Sequence, residues 1–243
     1  MLPAPQLQRY LALSRSPWYS LVIILPLAAL YQLLAWLVNF GSDTELRNGA
    51  DVLLRMLLDL FGLGAPKIMA ALVLAAIAAV WMWQRHAHDD EPLEAGVLAV
   101  MVAESILWAG LLLLLLLAAD TLLLTNRADT VLQTALLAIG AGIYEEAVFR
   151  LGLISGLMLI FTQALLWHKI PATLMAVAGA GVIFSLFHYV GPMGEAPSWN
   201  TMAYRSVAGV LLGGLFIWRG FGITAYTHTF YDLFVLGLMT VHS

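Results

Sequence analysis

Glu145-Glu146-Ala147-Val148-Phe149-Arg150 places three ionisable side chains inside an apolar run that extends from 131 to 165. A run of that length is long enough to cross the hydrocarbon core of a bilayer, which needs roughly 20 apolar residues as a helix. Charge at such depth costs several kcal/mol and marks function by default. The same interpretation extends along the chain. Of 243 residues, 62% are hydrophobic and 11% charged, with a mean hydropathy of +0.89. A soluble domain carries about 25% charged residues. Further apolar runs at roughly 19–39, 66–83, 96–119, 172–188, 203–218 and 222–241 lead to the expected fold. It is an all-α, polytopic integral membrane protein of about seven or eight transmembrane helices. With so little polar sequence between the runs, 1–243 is expected to be a single membrane domain.

Between the first two runs the pattern changes. Asp43, Glu45, Arg47, Asp51, Arg55 and Asp59 alternate with Leu53, Leu54, Met56, Leu57, Leu58 and Leu60 at helical spacing. This predicts an amphipathic helix near 47–62, lying at the membrane interface. Residues 84–95 read as a solvated loop, in which His86 and His88 could pair on a metal, and 189–202 is a Gly/Pro-rich segment that must leave the helical state directly after His188. Arg9 and Arg15 favour a cytoplasmic N-terminus, although Arg47, Arg55 and Lys67 pull the other way. Trp18, Trp83, Trp167, Trp199 and Trp218 near span ends fit interfacial belts, and the first span is too long for a cleaved signal sequence. The absence of cysteine excludes disulfides, thiol catalysis and cysteine-bound metals. No basic block suggests a nucleic-acid partner, and nothing in the sequence sets an oligomeric state.

Three short motifs carry the chemistry. Glu146 and Arg150, four apart, share a helix face and can neutralise each other as an ion pair. Glu145 is turned about 100° from Glu146 and is left for another task. Phe184 and His188 are again one turn apart, so the ring can shield the imidazole from lipid. In the third motif, Asp232 lies one turn beyond His228 and can accept a hydrogen bond from its ring, fixing the tautomer. One spare Glu and two His on three apolar helices form a proton-handling set with water as the natural nucleophile. The same Glu145, His188 and His228 could alternatively hold a zinc ion with one open position. Glu104, in another apolar run, is expected to pair helices rather than to join this set. A transporter would also bury such groups, but all three motifs fall after residue 140 instead of in two related halves. A non-enzymatic immunity or scaffold protein is the other alternative.

E-E-A-V-F-R, F-S-L-F-H and H-T-F-Y-D, in that order, resemble the signature motifs of the CAAX protease and bacteriocin-processing (CPBP, or Abi) family of intramembrane glutamic endopeptidases. The resemblance covers roughly 135–240 and leaves the N-terminal helices, 1–130, without an assigned role. It implies a catalytic core in 131–243 in which Glu145 and His188 activate water while His228 and the residue at 232 form an oxyanion site. Glu146, Arg150 and Phe184 would support them, with no cofactor. Eukaryotic relatives that cut prenylated CAAX proteins resemble H-x-x-x-N in the third motif. An ionised carboxylate cannot donate to an oxyanion as an amide can, so Asp232 is assigned the task of orienting His228. The implied partner is a membrane-anchored protein or peptide substrate in the lipid bilayer, and the implied setting a bacterial inner (cytoplasmic) membrane. One difficulty is depth. Straight parallel crossings would leave His188 and His228 roughly 15 Å apart along the membrane normal. Staggered or tilted helices, with 131–165 as one long helix or a pair broken near Gly152 and Gly156, are therefore expected.

Overall fold

The computed structural model describes residues 4–60, 74–75, 77–82, 84–85, 93–118, 130–191 and 194–242, and among these it is helical with no strand. The helices are α1 (Ala4–Ser14), α2 (Pro17–Asn39), α3 (Gly49–Asp59), α4 (Ala95–Ala118), α5 (Val131–Ala164), α6 (Lys169–Phe187), α7 (Trp199–Arg219) and α8 (Phe221–His242). Five of them, α2, α4, α5, α6 and α7, are long and apolar enough to cross a membrane. The expected number of seven or eight is thus not reached among the described residues, and the run at 66–83 lies mostly outside them, as does the His86/His88 loop. The protein is an integral membrane protein built of helices.

Local chemistry starts and stops these helices where the sequence allows. Ser16 caps α2 by accepting from the Tyr19 N–H at 3.1 Å, with Pro17 in the first turn, where its missing donor costs nothing. Thr130 and Gln133 form a reciprocal capping box at the start of α5. Gly220, at φ 84°, is the whole connection between α7 and α8, a left-handed position that suits glycine.

α5 is one helix of 34 residues, not a pair broken at Gly152 or Gly156. It carries wide, π-helical turns at Ala141–Glu145, Ala147–Ile154 and Ile160–Ala164. Such turns are rare and concentrate at functional sites. Continuity follows from the solvent: in lipid a break would strand backbone donors and acceptors with no water to satisfy them.

α8 is the central element. It packs against α4, α2, α7 and the first half of α5. The largest core cluster joins Ile23, Leu27 and Tyr31 of α2, Leu136, Ile139 and Ile143 of α5, and Ile223 and Tyr226 of α8. The α5–α8 contact is especially close at Gly142. A Cβ there would lie 2.0 Å from Thr229 Oγ1 and 2.5 Å from the Ala225 carbonyl oxygen. Gly142→Ala is therefore expected to destabilise the protein by about 1–3 kcal/mol, because backbone on α8 cannot yield as a flexible side chain would. Thermal unfolding in detergent measures this, and an unchanged midpoint would contradict the packing.

α3 is the expected amphipathic helix, two residues later at its start and shorter at its end than the sequence pattern suggested. Val52, Met56 and Leu57 of α3, and Leu60 just after it, are exposed. Its inward side is polar: Asp51 is fully buried, paired with Arg47 at 3.0 Å and Arg55 at 2.8 Å. α1 has no counterpart among the expected spans. It is held to α4 through Arg219 of α7, whose guanidinium donates to Ser14 and to both carboxylate oxygens of Glu104. Glu104 thus pairs helices, as expected. Trp167, Trp199 and Trp218 are exposed near helix ends, consistent with interfacial belts.

Candidate functional site

Glu145 ends the first π-helical stretch of α5 and Glu146 stands between it and the next, and both are buried, at 7% and 0% exposure. The Glu146 carboxylate is the hub. Its Oε1 forms an ion pair with Arg150 Nη1 at 3.0 Å and accepts a hydrogen bond from His228 Nδ1 at 2.7 Å. The expected Glu146–Arg150 pair is present. Arg150 further donates to the Gly209 carbonyl of α7 at 3.4 Å and stacks over the Phe184 ring at 4.6 Å. One ion pair thereby fastens α5 to α6, α7 and α8. A lone buried charge would not be tolerated here; His228 donates to the carboxylate and the guanidinium donates to Gly209, while Glu146 Oε2 and Arg150 Nη1 make no hydrogen bond to the described residues.

His228 departs from its expected arrangement in one respect. Asp232 Oδ2 stands 3.7 Å from Nε2, within ion-pair range but beyond a hydrogen bond, while Nδ1 is engaged by Glu146. The contact that orients the imidazole therefore comes from Glu146 rather than from Asp232. The i,i+4 spacing brings Asp232 near the ring, but the facing helix supplies the closer carboxylate. Glu146 accepts at Nδ1, so Nε2 is the nitrogen turned toward Asp232.

His188 follows the last residue of α6. Its Nδ1 lies 2.9 Å from the Phe184 carbonyl, which can only accept, so Nδ1 carries the proton and Nε2 is left to act. The expected Phe184–His188 stack is present as an edge-on contact at 4.9 Å, and the same Phe184 ring meets His228 at 6.1 Å. Both imidazoles thus pack on one ring, which removes the depth difficulty of straight parallel spans. The helix leaves its helical path directly after His188, as the Gly/Pro segment requires. The following loop folds back, with Glu195 N–H donating to the His188 carbonyl at 3.0 Å. Arg205 on α7 holds Glu195 through two contacts of 2.7 and 2.8 Å.

The spare carboxylate, Glu145, has both imidazoles, His188 and His228, within electrostatic reach. It does not contact Arg150 as Glu146 does. Its Oε1 accepts from Asn48 Nδ2 at 2.9 Å. Asn48 is a residue the motifs did not single out, and it comes from the N-terminal region that had no assigned role. Among the described residues no group of three or more His, Cys, Asp or Glu side chains is placed so that it could hold a metal ion.

Residues 127–234 match the family model of type II CAAX prenyl endopeptidase, Rce1-like. Over this stretch, less than half of the chain, the sequence is similar to that family. The Rce1-like region contains all three motifs, from Glu145 to Asp232, and excludes Asn48. The match supports the resemblance expected from the three motifs. No curated protein and no solved structure matches the chain.

Proposed function

We propose that this protein is an intramembrane endopeptidase that cleaves a membrane-anchored protein or peptide with water as the nucleophile. The observation that carries the reading is that Phe184 packs on both His188 and His228, while Glu146, the neighbour of Glu145 in the chain, holds His228 at Nδ1. The Rce1-like match supports the reaction class and, by its name, a CAAX-type substrate.

In this reading Glu145 takes a proton from water as the water oxygen attacks the scissile carbonyl carbon. His188 Nε2 orients that water. His228, held at Nδ1 by Glu146, offers Nε2–H to the oxyanion, and Asp232 nearby supports its charge. Collapse of the tetrahedral intermediate breaks the C–N bond, and the proton held by Glu145 passes to the departing amine. No covalent enzyme intermediate forms. Glu146, Arg150 and Phe184 position these groups without touching substrate. A bacterial inner membrane is the setting we assign, on the family resemblance and the short connections between α5, α6, α7 and α8.

The test is cleavage of a library of membrane-anchored peptides by the purified protein in detergent, with and without a strong chelator. Cleavage that survives chelation is the expected result. Chelator-sensitive cleavage would move Glu145, His188 and His228 into a zinc site, and no cleavage would favour the scaffold or transporter readings.

A further inference from the structure

The segment joining α2 to α3 ends at Asn48, which is 5% exposed and reaches across 97 residues of sequence to Glu145. Its amide has two ends with different tasks. Oδ1 accepts from the Ala50 N–H at 2.9 Å, capping α3, and Nδ2 donates to Glu145 Oε1 at 2.9 Å. The cap fixes which way the amide points: only an acceptor satisfies the helix N-terminus, so the donor end must face the carboxylate.

The residues around it leave the amide little freedom. The Asn48 backbone N–H donates to the Tyr31 hydroxyl at 3.3 Å, and that hydroxyl donates to Asp51 Oδ2 at 2.9 Å. Tyr31 and Asp51 are both fully buried, and Asp51 is held in turn by Arg47 and Arg55. On the other side, α5 makes room for this arrangement at Gly140. A Cβ there would lie 2.6 Å from Asn48 Cβ and 2.7 Å from Tyr31 Cε2. Five side chains from α2, α3 and their connection therefore converge on one N–H aimed at one carboxylate oxygen.

We propose that Asn48 is a positioning residue for the Glu145 carboxylate. It engages Oε1 and so leaves Oε2 as the oxygen directed at water. The interfacial helix α3, through its N-cap, is thereby part of the site rather than an accessory anchor. This inference rests on the endopeptidase reading above. A hydrogen bond from a neutral donor to a carboxylate contributes enough that its loss, felt at the base during proton transfer, lowers turnover roughly 10- to 100-fold.

The test uses the full chain in detergent, Asn48→Ser, Asn48→Asp and Glu145→Gln, and an internally quenched, lipid-anchored peptide that the wild type cleaves. Ser and Asp both cap helices well, so α3 is retained, but Ser is too short to reach Glu145 and an ionised Asp presents an oxygen in place of the donor. Expected are a roughly 10- to 100-fold fall in kcat for Asn48→Ser, a larger fall for Asn48→Asp, little change in KM for Asn48→Ser, and an unfolding midpoint for Asn48→Ser close to wild type. Wild-type kcat in Asn48→Ser, with Glu145→Gln inactive, would overturn the inference alone. A fall in kcat that merely tracks lost thermal stability would assign Asn48 to the cap and overturn it as well. A wild type that cleaves nothing would remove the endopeptidase reading, and this inference with it.

Discussion

Replacing Glu145 with glutamine is expected to lower kcat for peptide hydrolysis by roughly 100- to 10,000-fold, the contribution of a positioned general base, while the helical fold persists. The prediction separates two roles that a pair of adjacent carboxylates could share. Glutamine has nearly the shape of glutamate, and its carbonyl oxygen can still accept the Asn48 N–H now received by Glu145. Packing around position 145 is therefore preserved. What is lost is the ability to take a proton. Glu146→Gln behaves differently, because the carboxylate it neutralises pairs with Arg150 and accepts from His228. That variant should lose thermal stability along with activity. Parallel measurement of kcat and the unfolding midpoint for the two variants decides the matter. If Glu145→Gln turned over substrate at the wild-type rate, the carboxylate would be a packing group and the water-activating role would fall.

The same pair shows what a sequence can and cannot reveal. The Glu146–Arg150 ion pair and the Phe184–His188 stack were legible because they are local: an i,i+4 spacing on a helix is sufficient to bring the groups together. The long apolar runs gave the positions of α2, α4, α5, α6, α7 and α8 because the bilayer dictates their length. α1 was not visible, since Ala4–Ser14 is too short and too polar to register as a span, and its place is set by the Arg219–Glu104 network. His228 has a closer partner than its spacing indicated for a related reason. Spacing pointed to Asp232 on the same helix, whereas the closer carboxylate is Glu146 on a facing one, 82 residues away in sequence. Asn48 carried only the weak mark of a helix cap. Its approach to Glu145 is made by tertiary packing between α2, α3 and α5, and no local pattern encodes that. The wide turns of α5 were hidden too, since nothing in E-E-A-V-F-R distinguishes a π-helical from an α-helical path.

Arg150→Met is expected to destabilise the protein by about 3–5 kcal/mol, the usual cost of removing one partner from a buried ion pair. Arg150 is 1% exposed, and the carboxylate it neutralises is fully buried. Methionine replaces the apolar length of the side chain and can still lie against Phe184. The cost therefore arises mainly from the uncompensated charge on Glu146 and the lost donor to Gly209. Adding Glu146→Gln should restore a large part of that stability, since the double variant no longer buries an unpaired carboxylate and the amide oxygen still accepts from His228. A double-mutant cycle on unfolding midpoints in detergent measures the coupling. Strictly additive losses would mean that the two side chains do not act as a pair. Activity should not return in the double variant, because His228 would then face an uncharged amide rather than a carboxylate, and its imidazolium would lose the partner that keeps it ready to donate to the oxyanion. Stability and turnover are thus expected to part company at this ion pair: neutralising both partners can repair the fold, but the proposed chemistry also calls on the charge of Glu146 at His228, on another helix.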